Sequence, residues 1–384
     1  MRQDNLIIQP PISSSVSPPK SSQLTSGHIR LWNLLRLTHD LPSTKLKTDY
    51  KISSRPAGKP DRDRGNPIVE EHRKLLKVIE NIEEVMIGKR EVAELSVVAL
   101  LAGGHVLLED VPGVGKTMMV RALARSVGAD FKRIQFTPDL LPSDVIGVSI
   151  YNPKEMEFQF RPGPIMGNIV LADEINRTSP KTQSALLEGM EEASVTVDGR
   201  TLALPDPFFV MATQNPIEHE GTYPLPEAQL DRFLLKVKMG YPGREDEVEV
   251  LRRAENQPPI DRIEPVITLD ELRDIRIRAA EVSVGDTVKG YIVDLAESTR
   301  KSPDIRLGVS PRGSIALMRA ARALAFLKGR DYVLPDDVQH LAPYVFSHRM
   351  ILQPEVRYEG IDAEELVERI VTRTKVPVRR AGTR

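Results

Sequence analysis

A glycine loop followed by lysine and threonine is the strongest chemical signal in this 384-residue chain. Gly113 and Gly115 follow an apolar run, and Lys116 and Thr117 begin a helical pattern. The glycines allow backbone amides to turn inward around an anion, and the helix N-terminus adds partial positive charge. In such a loop the lysine meets the β and γ phosphates of a nucleotide, and the threonine hydroxyl ligates Mg²⁺. Asp110 stands where the strict pattern has glycine, but aspartate tolerates a left-handed backbone better than most residues.

Two adjacent carboxylates, Asp173 and Glu174, end another apolar run at residues 168–172. Such a pair could serve phosphoryl transfer, with Asp173 in the magnesium shell and Glu174 orienting and deprotonating the attacking water. Acidic residues at the end of a strand are often only solvated caps. This pair gains its significance from following a phosphate-binding loop.

Asn215 ends a third apolar run, which begins at residue 208. If this run is a strand between the other two, Asn215 could touch both the γ phosphate and the water. Taken alone, an asparagine before a proline is equally typical of a turn.

Two arginines could add charge stabilisation to a transferring phosphoryl group. Arg232 stands in the sequence Leu-Asp-Arg-Phe, and Arg312 follows Ser310 and Pro311, which are typical of a helix cap and a first-turn proline. Taken alone, each arginine is more typical of a surface salt bridge.

The elements that must position these residues follow an alternating pattern. Strand-like runs separated by helical stretches predict an α/β fold, with a doubly wound, mostly parallel sheet covered on both faces. The runs are residues 105–108, 134–136, 169–172, 208–212 and 234–237. An amphipathic helix carrying Leu75, Ile79, Ile82 and Met86 on one face opens the domain. After residue 242 the strand runs stop, which predicts a smaller all-helical domain, one of whose helices begins at a capping box of residues 268–271.

The chain therefore divides into residues 1–66, 67–241 and 242–384. Residues 1–66 hold ten serines, seven prolines, 11 basic and 5 acidic residues, which predicts a disordered leader. A basic binding tail is the alternative. Removing this leader from totals of 53 basic and 54 acidic residues leaves 42 and 49, a net charge of −7. This balance argues against a nucleic-acid partner.

Composition excludes several classes of protein. The chain has no cysteine, which excludes disulfide scaffolds, thiolate zinc sites, iron–sulfur clusters and cysteine nucleophiles. No uncharged stretch reaches the roughly 18 apolar residues of a membrane helix, and the N-terminus shows no secretory signal. We therefore predict no membrane span and a cytoplasmic location.

Three longer stretches, residues 172–188, 212–216 and 223–233, closely resemble MoxR-type AAA+ ATPases, and the resemblance covers roughly residues 68–372. It implies a P-loop AAA+ domain followed by a helical lid. Asp173 and Glu174 then correspond to Walker B, Asn215 to sensor 1, Arg232 to the arginine finger and Arg312 to sensor 2. The implied nucleotide-binding residues, with an adenine segment first and Walker A after it, are Ile87, Gly88, Pro112, Gly113, Val114, Gly115, Lys116, Thr117 and Met118.

The resemblance also implies two hairpins, at residues 148–161 and 194–204, the second turning at Asp198 and Gly199. It implies ATP and Mg²⁺ as cofactors, homo-oligomeric hexameric rings, and partners bearing von Willebrand factor A domains. The expected function is ATP hydrolysis that drives remodelling or maturation of protein complexes.

Two other functions stay open at this point. A DNA-associated AAA+ ATPase or translocase is one, although the chain shows no helix-turn-helix or zinc-finger signature. The other is a nucleotide-binding switch with little turnover, against which the intact Glu174, Asn215 and Arg232 argue.

Overall fold

The computed structural model describes residues 67–109, 113–215, 222–255 and 259–377. The predicted leader, residues 1–66, therefore lies outside the described residues. So do Asp110 and Pro112 of the predicted phosphate-binding loop.

Nine strands lie in the first part of the described chain, and five of them form one parallel sheet. The strands are β1 Val106–Glu109, β2 Phe131–Gln135, β3 Gly147–Asn152, β4 Glu157–Pro162, β5 Ile169–Asp173, β6 Ser194–Val197, β7 Arg200–Ala203, β8 Phe209–Gln214 and β9 Leu235–Val237. The sheet order is β2-β5-β8-β1-β9, and every neighbouring pair is parallel. All five predicted strand runs are confirmed, and β8 lies between β5 and β1 as the interpretation of Asn215 requires.

Helices cover both faces of this sheet. Alternate side chains of a strand point to opposite faces, so the apolar side chains on each face are buried against helices. Leu107 packs in one hydrophobic cluster and Leu108 in the other. The helices of this part are α1 Pro67–Val85, α2 Arg90–Leu101, α3 Lys116–Ser126, α4 Pro142–Ile146, α5 Pro180–Glu192 and α6 Glu227–Leu230. The predicted apolar face of α1 is buried, with Ile79 and Ile82 at 0% exposure.

Both predicted hairpins are present. β3 pairs antiparallel with β4, and β6 pairs antiparallel with β7. Asp198 and Gly199 turn the second hairpin with φ of 50° and 75°, the positive values that a tight two-residue hairpin turn requires.

The C-terminal part forms the expected helical lid. Its helices are α7 Arg244–Ala254, α8 Leu269–Glu281, α9 Asp286–Lys301, α10 Pro311–Leu327, α11 Pro335–Phe346, α12 Pro354–Tyr358 and α13 Ala363–Arg373. The capping box is confirmed, since the backbone N–H of Glu271 donates to Thr268 Oγ1 at 3.3 Å and that of Thr268 donates to Glu271 Oε2 at 2.9 Å.

The all-helical expectation for this part needs one correction. Two short strands, β10 Ile305–Leu307 and β11 Ile351–Leu352, pair antiparallel beside the helices. Strands of three and two residues are too short to show a periodic pattern. No helix in the described part of the chain is both long and apolar enough to cross a bilayer.

Candidate active site

A cavity of about 390 Å³ lies where the glycine loop meets the C-terminal ends of β2, β5 and β8. Eight of its described lining residues carry predicted roles: Gly113, Gly115, Lys116, Thr117, Met118, Asp173, Glu174 and Asn215. Val114, which was also predicted to bind nucleotide, packs partly buried against the hydrophobic core. The fold thus gathers the loop, the acidic pair and the polar end of β8 in one place.

The loop has the backbone geometry that anion binding requires. Gly113 and Gly115 have φ of 87° and 90°, a left-handed conformation that other residues rarely adopt. A Cβ on Gly115 would also lie 2.8 Å from Met86 Cε. The N-cap of α3 is Gly115, which has no side chain to cap the helix, and the first residues of α3 line the cavity, so the partial positive charge of this helix end lies beside it.

The predicted adenine segment, Ile87 and Gly88, lies beside this loop. Gly88 has a φ of 69°, and a Cβ there would clash with the Asp246 carboxylate of α7. Lys89 extends the contact, because its Nζ donates to Met239 O at 2.6 Å and to Gly240 O at 3.0 Å. The segment is therefore held at the junction with the lid, while its role towards adenine stays a prediction.

Thr213 organises the acidic pair. Its hydroxyl donates to Asp173 Oδ1 at 2.7 Å and accepts from the backbone N–H of Glu174, also at 2.7 Å. Glu174 itself has φ 58° and ψ 50°, a strained conformation for a residue with a side chain, and such strain concentrates at functional sites. The contact with Thr213 helps to keep this conformation.

Three further side chains, which belong to none of the sequence motifs, hold the two carboxylates. Arg133 Nη2 lies 2.6 Å from Asp173 Oδ2. Gln135 Nε2 donates to Glu174 Oε2 at 2.8 Å, and Arg177 Nη1 lies 3.3 Å from the same oxygen. Arg133 and Gln135 are two residues apart on edge strand β2, so they share a face of the strand. In the sequence, the alternation of these polar residues with Ile134 is the pattern that could have pointed to them.

The residues present fit a magnesium ion. Asp173 and Thr117 both line the cavity, and the part of the chain that the structure describes holds no group of three or more acidic or histidine side chains suited to a metal. Mg²⁺ commonly takes one or two protein ligands and completes its shell with phosphate oxygens and water. The contact between Arg133 and Asp173 Oδ2 would have to yield to such an ion.

Arg232 and Arg312 are not among the lining residues of this first cavity. Both line a second cavity of about 390 Å³, together with Arg319 and Arg349. Arg232 Nη2 lies 3.0 Å from Glu191 Oε2. His105 also lines this cavity and directly precedes β1, so the cavity lies at the N-terminal end of that strand. The described lining of the first cavity comes from residues 113–215 alone, without the lid.

Two predictions concern the start of α10, near this second cavity. Pro311 begins α10 as expected, but the Ser310 side chain makes no capping hydrogen bond.

His105, which also lines this cavity, is held by two backbone contacts. Its Nδ1 accepts from the Val210 N–H at 3.0 Å, and its Nε2 lies 3.1 Å from Met190 O. Burial lowers the pKa of His105 to about 4, so the ring is neutral near pH 7.

Comparisons with known proteins agree with this architecture. Residues 105–235 match the ATPase family associated with various cellular activities (AAA), and residues 297–370 match the AAA lid domain. The chain is 65% identical over 313 residues to the uncharacterized protein YeaC of Bacillus subtilis, covering 82% of this chain and 98% of that protein. It is 44% identical over 312 residues to the chaperone MoxR1 of Mycobacterium tuberculosis, covering 79% of this chain and 82% of that protein.

A solved structure shows the same fold. The crystal structure of a candidate ATPase from Cytophaga hutchinsonii superposes with a TM-score of 0.76 at 40% sequence identity. The superposition covers 81% of this chain and 97% of that one.

Proposed function

The chain belongs to the MoxR family of AAA+ ATPases, and we propose that it hydrolyses ATP to ADP and phosphate in a homo-oligomeric ring. We propose further that this hydrolysis drives chaperone-like remodelling or maturation of protein complexes. The observation that carries the proposal is the meeting of the glycine loop, Asp173, Glu174 and Asn215 in one cavity.

The loop binds the triphosphate in this proposal. Amides around Gly113 and Gly115 face the β phosphate, and Lys116 adds charge at the β and γ phosphates. Thr117 and Asp173 would hold Mg²⁺, which would supply positive charge to neutralise the triphosphate. Met86 packs against Gly115 and precedes Ile87 and Gly88, so the adenine would lie beside that segment.

Glu174 acts as the general base and Asn215 orients the attacking water. Glu174 Oε2 accepts from Gln135 and faces Arg177, so these two contacts orient the carboxylate while its other oxygen, Oε1, receives the proton. Thr213 keeps the Glu174 backbone in place during this transfer.

Arg232 and Arg312 serve the site of a neighbouring subunit. Both line a cavity distinct from the phosphate loop of their own chain, which supports contact with the γ phosphate of the next subunit in a ring. Arginine fingers supplied in this way raise kcat by about 10³ to 10⁵ in other phosphoryl-transfer enzymes. The number of subunits, six in our proposal, follows the family resemblance.

The partner is a protein rather than DNA in this proposal. The net charge of −7 on residues 67–384 disfavours a phosphate backbone, and the relative MoxR1 carries the name chaperone. A client or adaptor with a von Willebrand factor A domain remains the expectation from the family. DNA-associated ATPase activity is the competing function.

ATPase rates measured with and without duplex DNA, over a range of protein concentrations, test this proposal. We expect specific activity to rise with protein concentration as rings form, and DNA to leave the rate unchanged. A strong stimulation by DNA would favour the competing function, and a concentration-independent rate would argue against a shared site.

A further inference from the structure

A buried arginine of the lid holds the backbone on both sides of Arg232. Arg349 follows α11, and its side chain is 4% exposed. Its Nε lies 2.7 Å from Asp231 Oδ1. Its Nη2 donates to Phe233 O at 2.7 Å and to Asp231 O at 3.2 Å, and its Nη1 donates to Leu234 O at 3.2 Å. One guanidinium group thus fixes three residues that surround the predicted arginine finger.

A buried ion pair such as this one is by itself weak evidence for a purely stabilising role. Burial lowers the pKa of the Arg349 guanidinium, and the Asp231 carboxylate only opposes that shift. Replacing a buried ion pair by well-packed apolar residues is often neutral or stabilising. An arginine is instead suited to geometry, because its rigid fork of five donors orients several acceptors at once.

The neighbouring His348 reinforces the same segment. Its Nε2 lies 3.0 Å from Phe233 O. Burial, together with the nearby charge of Arg349, lowers the pKa of His348 well below its usual value, so the ring adds no second charge at neutral pH.

The same arginine touches the helix that carries Arg312. Gly313 lies in the first turn of α10, and a Cβ there would come within 3.1 Å of Arg349 Cδ. Arg349 therefore contacts the residue next to Arg312 as well as both residues that flank Arg232. The second cavity is lined by all three arginines.

We propose that Arg349 is a positioning residue that fixes Arg232 and Arg312 relative to each other, so that both reach the γ phosphate of the neighbouring subunit together. This inference rests on the proposed function. Because Arg349 belongs to the lid and Arg232 follows α6, a movement of the lid relative to the sheet is transmitted to the finger that serves the next subunit.

The substitution Arg349→Met keeps much of the side-chain length and removes every donor. We expect the Kd for ATP to stay within about twofold, since the finger acts only in the transition state. We expect kcat to fall about tenfold to a hundredfold, because misplacement of a catalytic group by about 1 Å has effects of that order. Arg349→Lys, which keeps the charge but not the fork, should recover only part of the rate.

Mixed rings separate positioning from a general structural defect. An Arg349→Met subunit keeps its own Glu174 but supplies a misplaced Arg232 to its neighbour. A Glu174→Gln subunit lacks the base but supplies a well-placed Arg232. Mixing the two should raise activity above the sum of the parts. Mixing Arg349→Met with Arg232→Ala should give no recovery, because every interface then lacks a well-placed finger.

Arg330 offers a matched control. It is also a lid arginine paired with a buried carboxylate, with its Nη2 at 2.6 Å from Asp337 Oδ1 and its Nη1 donating to Tyr332 O at 3.0 Å. These contacts stay within the lid. Arg330→Met should lower the melting temperature without lowering kcat by tenfold and without showing rescue in mixed rings. Asp231→Asn, which keeps the backbone contacts, replaces Arg349→Met if that variant fails to fold, and should show the same pattern of rescue.

The mixture of Arg232→Ala with Glu174→Gln is the reference. The proposal is supported if activity recovers in the reference and also when Arg349→Met is mixed with Glu174→Gln. Activity should not recover when Arg349→Met is mixed with Arg232→Ala. Recovery in the reference alone overturns the role of Arg349 and leaves the proposed function standing. No recovery in the reference, despite demonstrated co-assembly, overturns the shared site and this inference with it.

Discussion

The hydroxyl of Thr213 should matter for both stability and catalysis. Thr213 is 1% exposed, and its hydroxyl joins Asp173 Oδ1 to the Glu174 N–H at 2.7 Å each. Thr213→Val keeps the shape and removes both contacts. A hydrogen bond to a charged group contributes about 1.5–3 kcal/mol, and an orphaned buried N–H costs about 1–3 kcal/mol. Because Asp173 keeps its contact with Arg133 and both lost contacts are only part-buried, we expect a loss at the lower end of these ranges, about 2.5 kcal/mol in the free energy of unfolding.

The catalytic effect follows from the conformation of Glu174. Its backbone, at φ 58°, loses one of the contacts that hold it, so the candidate base is less well aimed at the water. We expect kcat to fall about tenfold to a hundredfold while ATP affinity changes less than about twofold. Thr213→Ser keeps the hydroxyl and should lose only about 1 kcal/mol of stability for the missing methyl.

Urea unfolding, isothermal titration with an ATP analogue and steady-state ATPase rates measure these quantities. A Thr213→Val protein with the kcat of the Thr213→Ser protein would refute the reasoning. Equal free energies of unfolding for Thr213→Val and Thr213→Ser would refute the claim that the hydroxyl contacts stabilise the fold.

Two further predictions address the loop and the second cavity. Lys116→Ala should abolish ATP binding in isothermal titration, whereas Glu174→Gln should preserve it, because only the first removes a charge directed at the phosphates; equal losses of affinity would contradict these separate roles. Burial lowers the pKa of His105 from 6.5 to about 4, so the folded state resists protonation that the unfolded state accepts. The free energy of unfolding should therefore fall by about 3 kcal/mol as the pH drops from about 6.5 to 4. A His105→Gln variant with the same fall in urea unfolding would refute this assignment.

The fold could be predicted because its central strands are buried on both faces. β5 and β8 contain four and five consecutive buried residues, which gives continuous apolar runs in the sequence. Parallel strands bring their C-terminal ends to one edge of the sheet, so Asp173 and Asn215 could be expected near the glycine loop. The observed strand order places β8 between β5 and β1, so the ends of β5 and β8 lie side by side, next to the strand that leads into the loop.

The side chains that hold the acidic pair could not be predicted from local patterns. Arg133 and Gln135 meet Asp173 and Glu174 only because β2 is the neighbour of β5, and neighbour relations arise from chain topology. Thr213 is one polar residue at the end of an apolar strand, which is an ordinary feature. Arg349 and Asp231 are 118 positions apart in the sequence. Helix and strand periodicity relates only residues a few positions apart, so it could not predict this contact.

The shared active site is tested most directly by mixing two inactive variants. Arg232→Ala keeps Glu174 and its own phosphate loop, and Glu174→Gln keeps Arg232. If each site uses the arginine of the next subunit, some interfaces of a mixed ring contain both intact groups, and the mixture should hydrolyse ATP faster than either variant alone. A mixture as inactive as its components, with co-assembly demonstrated, would contradict the account.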